Sequence, residues 1–264
     1  MSLVLKSDFV IDAASIGGSE HPNQDAWGMR DAFFWVLDGA TAPNTSSELS
    51  VADYVASLND SLYRSAISER SLQDVLRAAL ESVKSHPASE AGFTATVAMA
   101  KKIPAGWEWL VLGDAAVVYG SPHGDFRLES DQRLGQVAAS LRGARNAVRG
   151  NPATAAQFNE LTAALRREEA RWRNVPGGFW VAGADPNAAR QALEGTVDGG
   201  VSMFLLTDGV TDGLDSTHWS SLEAAVADWT TQGVTEALKT LRETLLARYG
   251  RMDDATLVSI RHHA

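Results

Sequence analysis

Phe33-Phe-Trp-Val-Leu-Asp38-Gly39 is a short aromatic and aliphatic run that ends on an acid and a glycine, the look of a buried strand and its exit turn. The ending recurs along the chain. Asp114 closes the run from Trp107 to Gly113, Asp208-Gly209 closes the run from Met203 to Thr207, and Asp253-Asp254 immediately precede a run that starts at Ala255. A single Asp-Gly after a strand is ordinarily a turn, because Gly tolerates positive φ and Asp bonds to its own backbone. Asp212-Gly213 is read as such a turn. Several acidic strand ends brought together would be different, since neighbouring carboxylates repel until their pKa values rise or cations neutralise them. With no Cys in the chain and no His close to these acids, the oxygen donors point to Mg²⁺ or Mn²⁺ rather than zinc. Two such ions bridged by one carboxylate and a water are a recurrent device for hydrolysing phosphate esters.

Outward from the first run, further strands are expected from Phe93 to Ala100, Trp107 to Leu112, Val117 to Tyr119, Val201 to Leu206 and Ala255 to Ile260. In the first of these, Phe93, Ala95, Val97 and Met99 alternate with Thr94, Thr96, Ala98 and Ala100, which predicts two different faces. Val51, Val55, Leu58 and Leu62 form one helical stripe, and Leu72, Val75, Leu76, Ala79 and Val83 form a second, with Ser71 and Asp74 placed for a capping box. Near the end, Val234, Leu238, Leu241 and Leu245 form another stripe, which Gly250 is placed to terminate. Helices come in pairs and strands in consecutive runs, so an α+β fold is expected, with antiparallel sheets each covered by one helix pair.

The 264 residues carry 23 Lys and Arg against 33 Asp and Glu, a formal charge of −10, which disfavours nucleic acid as a partner. Without Cys there is no disulfide framework, thiolate nucleophile or Cys-ligated zinc. The longest apolar runs fall far short of the ~20 residues needed to cross a bilayer. The opening residues lack a basic flank followed by a long apolar stretch, so no membrane association is expected and a cytoplasmic monomer is. One domain over residues 1–264 is expected, interrupted at about residues 130–174 by a helical, Ala- and Arg-rich insertion broken at Asn151-Pro152. Its charge run from Arg166 to Arg171 is read as a solvated face. The tryptophans, among them Trp27, Trp35, Trp107, Trp109 and Trp180, read as packing, and His86, His123 and His218 as ordinary surface residues. His21, close to Asp25, is the histidine kept for a catalytic role.

Asn23-Gln-Asp25-Ala-Trp27, Trp35-Val-Leu-Asp38-Gly39, Gly92-Phe-Thr-Ala-Thr96, Val111-Leu-Gly-Asp114, Leu205-Leu-Thr-Asp208-Gly209 and Asp253-Asp-Ala-Thr-Leu-Val258 follow one another over about 240 residues. In that order they resemble the successive motifs of the metal-dependent Ser/Thr protein phosphatases, type 2C or PPM-type. The resemblance implies a four-layer α-β-β-α sandwich, two antiparallel sheets flanked by helix pairs. It implies hydrolysis of phosphoserine and phosphothreonine in phosphorylated proteins, by a water activated at two Mg²⁺ or Mn²⁺ ions, without a covalent intermediate. Asp38 would bridge both ions, the Gly39 carbonyl would ligate one, Asp208 and Asp253 would complete one shell, and Asp25 would lie near the other ion. Asp114 would help hold a third, weaker ion, and Asp254 is the second choice where Asp253 is the first. The insertion matches the family's variable flap. Glu20 stands where many relatives have a phosphate-gripping Arg, and Ala40-Thr-Ala-Pro43 where some have a general-acid His. A small-molecule phosphomonoesterase and a phosphatase-like binding module with weak turnover remain open as alternatives.

Overall fold

Eight residues of strict alternation, from Phe33 to Ala40, show how the layers arise. Phe33, Trp35 and Leu37 enter one apolar cluster, with Tyr54, Leu58, Leu76 and Leu80. Phe34 and Val36 enter another, with Val111, Leu205, Val258 and Ile260. The computed structural model describes residues 3–5, 9–18, 22–40, 50–121 and 124–262. In chain order its elements are β1 (Leu3–Leu5), β2 (Phe9–Ile16), β3 (Asp25–Arg30), β4 (Phe33–Ala40), α1 (Val51–Ser65), α2 (Leu72–Val83) and the short α3 (Pro87–Glu90). There follow β5 (Thr94–Ile103), β6 (Gly106–Leu112), β7 (Ala116–Ser121), β8 (Gly124–Ser130), α4 (Arg133–Gln136), α5 (Ala139–Ala147) and α6 (Ala155–Trp172). The chain then runs through β9 (Leu193–Asp198), β10 (Ser202–Leu206), α7 (Asp208–Asp215), α8 (Leu222–Thr231), α9 (Val234–Tyr249) and β11 (Ala255–His262).

Two antiparallel sheets result, in the orders β1-β2-β11-β10-β7-β8 and β3-β4-β5-β6-β9. Their inner faces pack on each other through the second cluster. The outer face of the five-stranded sheet is covered by α1 and α2, and that of the six-stranded sheet by α7, α8 and α9. This is the expected α+β sandwich in four layers. On β5, Ala95, Val97 and Met99 face the helices while Ala98 and Ala100 face the other sheet, as their alternation predicts. Ser71 caps α2 by accepting from the Asp74 N–H at 3.1 Å, and Gly250 ends α9 at φ 71°. A full capping box, Ser50 with Asp53, starts α1.

Three features differ from expectation. First, β1, β2, β3, β8 and β9 were not anticipated. β3, β8 and β9 lie at sheet edges and carry polar residues on their half-exposed faces, and β2 contains Asp12, whose side chain accepts the Val234 N–H at the start of α9. Second, Asp212-Gly213 is no turn but lies inside α7, where Gly213 sits under the Trp219 ring and Asp212 pairs with Arg149 at 2.8 Å. Third, the charge run from Arg166 to Arg171, on α6, is not wholly solvated: Glu169 pairs with Arg142 at 2.6 Å, and Arg166 and Glu169 help wall the recess described below. Among the described residues no helix is long and apolar enough to cross a membrane.

Candidate metal centre

The face that makes the inter-sheet core changes character at one end. Successive inward positions run Trp27 to Asp25 on β3, Val36 to Asp38 on β4, Ala98 to Thr96 and Thr94 on β5, Leu205 to Thr207 after β10, and Val258 to Thr256 on β11. Apolar packing gives way there to carboxylates and hydroxyls. Asp25 and Asp38 face each other directly across β3 and β4, and Asp38 faces Thr96 across β4 and β5, with its Oδ2 3.5 Å from the Thr96 hydroxyl. Asp208 opens α7, where the helix N-terminus favours negative charge. Asp114 follows Gly113, whose φ of 82° turns the chain out of β6, where a Cβ would lie 2.8 Å from that of Thr96.

Asp38, Asp114 and Asp208 each present a carboxylate oxygen, and the three oxygens lie within 4.8 Å of one another. They line a recess of about 200 Å³ together with Gly39, Gln24, Thr96 and Asp253. Residues 134–181 supply part of its wall through Leu134, Arg166, Glu169, Arg173, Phe179 and Val181. Gly39 fits because a Cβ there would lie 2.7 Å from the Gln24 carbonyl oxygen.

Asp25 is held from below. Its Oδ2 accepts from the hydroxyls of Thr207 at 2.8 Å and Thr256 at 2.9 Å, and the Thr207 hydroxyl accepts the Thr256 N–H at 2.9 Å. Ser15 lies 2.7 Å from the Thr256 hydroxyl and accepts from the Asn23 amide, whose oxygen in turn accepts the Asp25 N–H. The other oxygen, Oδ1, is buried and has no protein hydrogen-bond partner. This support of Ser15, Asn23, Thr207 and Thr256 was missed in the sequence, although the inward alternation of β10 and β11 carries its signal. Asp254 is buried and accepts the Gly18 and Gln24 N–H groups, both at 2.6 Å, which ties the chain between β2 and β3. The Asp253 side chain is at the recess.

Electrostatics follow from this crowding. Burial, then the charges of Asp208, Asp25 and Asp114, hold Asp38 well above the ordinary carboxylate range, and burial, then Asp114 and Asp253, does the same for Asp208. Burial raises Asp25 to about 7 against the pull of its two threonine hydroxyls, and raises Asp114 to about 6 against Arg142. The acids together resist full ionisation unless a cation joins them. An all-oxygen donor set with an orphaned buried carboxylate oxygen fits a hard divalent ion.

His21 and Glu20 lie outside the described residues, as do Thr41-Ala-Pro43 and His123. His86 caps α3 by accepting the Ala88 N–H, and His218 packs edge-on against Trp219, both away from the recess.

A helix-covered double sheet with an acidic cluster at one end of its inner layer defines the class to which this chain is to be compared. The profile described as Protein phosphatase 2C matches residues 15–245, and the chain belongs to that family. Among solved structures, the PPM Ser-Thr phosphatase MsPP from Mycobacterium smegmatis, in complex with cacodylate, is 18% identical at a TM-score of 0.59, over 97% of this chain and 99% of that one. The catalytic domain of serine threonine protein phosphatase PstP, in complex with two manganese ions, is 14% identical at 0.60, over 97% and 99%. RsbX in complex with magnesium is 13% identical at 0.54 and covers 100% of both chains. At these identities the likeness is one of fold. Among curated proteins none matches the chain in sequence.

Proposed function

We propose that the protein is a metal-dependent phosphoric monoester hydrolase acting on phosphoserine and phosphothreonine side chains of proteins. Asp38, the Gly39 carbonyl, Asp208, Asp253 and Asp25 would hold two Mg²⁺ or Mn²⁺ ions, and Asp114 would help hold a third. Such ions, when bound, acidify a water and offset the charge of the phosphoryl group. The chain's own part is positioning. Thr207 and Thr256 fix one oxygen of Asp25 and leave the other unengaged by protein, while β4 presents Asp38 and Gly39 side by side. His21 is assigned a proton-transfer or substrate-contact role. The observation that carries the reading is the meeting of three carboxylate oxygens within 4.8 Å from β4, the β6–β7 turn and α7. Bound Mn²⁺ and Mg²⁺ in PstP and RsbX, which share the fold, support the choice of ion.

Phosphate release from a phosphothreonine peptide and from p-nitrophenyl phosphate, with Mn²⁺ and with chelator, tests this. Turnover that requires Mn²⁺ and falls by about 100-fold or more in Asp38→Asn and Asp208→Asn is expected, given the several kcal/mol a catalytic ion supplies. Turnover that persists in chelator or in both variants would refute the reading. Turnover of the aryl ester without the peptide would instead fit a small-molecule phosphomonoesterase.

A further inference from the structure

A recess walled by five acids, Asp38, Asp114, Glu169, Asp208 and Asp253, repels an incoming phosphate dianion, so binding one calls for fixed positive charge from the protein as well as from ions. Three guanidinium groups reach the recess. Arg166 is exposed on α6, and Arg251 is occupied over the Phe158 ring at 4.9 Å. Arg173 is different. It is half-buried, its single neutral hydrogen bond runs from Nη1 to the Thr94 hydroxyl at 3.3 Å, and its Nε is buried with no hydrogen-bond partner. Among the described residues no carboxylate pairs with it. Burial lowers its pKa only from the usual arginine value, so it remains a cation. Glu169 is the carboxylate whose charge acts on it, without forming an ion pair, so a half-buried guanidinium held by one neutral hydrogen bond keeps donors for an anionic ligand.

The backbone around Arg173 is unusually determined. Asn174 takes a left-handed conformation at φ 55°, its side chain accepts the Val181 N–H at 2.8 Å, and its N–H donates to the Phe179 carbonyl at 2.8 Å. The Phe179 N–H returns to the Trp172 carbonyl at 3.0 Å, across a turn where a Cβ on Gly178 would collide with that carbonyl. Beyond it, Ala182 and Ala95 exchange two hydrogen bonds of 2.8 Å, fastening the turn to β5. Thr94 and Thr96 share one face of β5 two residues apart, roughly 7 Å along the strand. One meets Arg173 and the other meets Asp38. Arg173 and Asp38 thus line the same recess, each beside one of these neighbouring positions on β5.

We propose that Arg173 is the substrate-binding residue that grips the phosphoryl oxygens, its planar fork presented to them by the fastened turn after α6. This rests on the phosphatase reading and specifies it: the preferred ligand is a phosphate monoester dianion, and free phosphate, the product, binds the same fork.

The test uses inorganic phosphate as probe on the Mn²⁺-loaded protein, its Kd read by calorimetry beside the Kd for Mn²⁺, the melting temperature and the KM for p-nitrophenyl phosphate. Arg173→Met is expected to weaken phosphate binding and raise KM about tenfold or more, the loss typical of a charge-assisted hydrogen-bonding group, with Mn²⁺ affinity little changed. Arg173→Lys keeps the charge without the fork and should fall between. Arg77→Gln removes an equal charge from the exposed face of α2 and should change neither value. A folded Arg173→Met or Arg173→Lys protein that binds phosphate as tightly as the parent overturns the proposal, as does an equal loss in Arg77→Gln. A lowered melting temperature with unchanged phosphate Kd would mean that Arg173 serves only the turn. A parent that neither binds phosphate nor hydrolyses the ester would sink the phosphatase reading itself, whereas hydrolysis by the parent with equal phosphate affinity in the variants removes the Arg173 assignment alone.

Discussion

Asp253 and Asp254 are neighbours with opposite surroundings. The Asp254 carboxylate accepts two backbone N–H groups from residues more than 200 positions away, and its side chain is enclosed; that of Asp253 meets the acidic recess. Hydrogen bonds to a charged acceptor contribute more than neutral ones, and removing the acceptor strands the buried donors, so Asp254→Ala should lower stability by about 2–4 kcal/mol. Asp253→Asn should leave the folding free energy within about 1 kcal/mol of the parent while weakening Mn²⁺ binding. Chemical denaturation and calorimetric Mn²⁺ titration of both variants distinguish these roles. If Asp254→Ala were as stable as the parent and lost Mn²⁺ binding, the two assignments would be exchanged. From sequence alone the pair was ambiguous, because adjacent aspartates before a strand have the same pattern whichever one turns inward.

At the scale of elements, the site depends on how closely α7 approaches β11. Gly209, the second residue of α7, lies against the Asp254 backbone, and a Cβ there would collide with the Asp254 carbonyl. Gly209→Ala therefore forces Asp208 and Asp254 apart. It should cost about 1–3 kcal/mol, as overpacking does, and reduce Mn²⁺-dependent turnover along with it. A Gly209→Ala protein with parental melting temperature and turnover would contradict this packing. The helix stripes and the two faces of β5 were legible because each apolar face meets one neighbour. The edge strands β8 and β9 were missed although Phe126 and Leu128 alternate with Asp125, Arg127 and Glu129 on β8, because each is short and carries only two large apolar side chains, Phe126 and Leu128 on β8 and Leu193 and Val197 on β9. Asp212-Gly213 was misread for a related reason: Asp-Gly marks a turn only when nothing packs on the glycine, and Trp219 does.

Over the whole molecule, two sheets carry their charge where their inner faces run out of apolar residues. Asp25 has an ordinary carboxylate pKa of 3.8 and a folded value of about 7, and Asp114 rises from 3.8 to about 6. Between about pH 4 and 7 the metal-free native protein therefore holds more protons than the unfolded chain, and its stability falls as pH rises through that window. The fall should amount to a few kcal/mol, and saturating Mn²⁺ should reverse most of it at pH 7. Asp38→Asn removes one of the mutually repelling charges, so its metal-free form should melt above the parent at pH 7 and respond little to Mn²⁺. Thermal melts of chelator-treated protein across this range read both effects, and a metal-free parent that gains stability from pH 4 to 7 would contradict them. The four acidic strand ends and their all-oxygen chemistry were plain in the sequence; their mutual distances were not, because convergence depends on the register of strands that are far apart in the chain. Calorimetric titration of Mn²⁺ into the chelator-treated protein at neutral pH addresses that convergence directly. Binding of two ions by the parent, with loss of both high-affinity steps in Asp38→Asn, is the expected result. Absence of Mn²⁺ uptake by the parent, or uptake unchanged in Asp38→Asn, would mean that the acids meet for some other purpose.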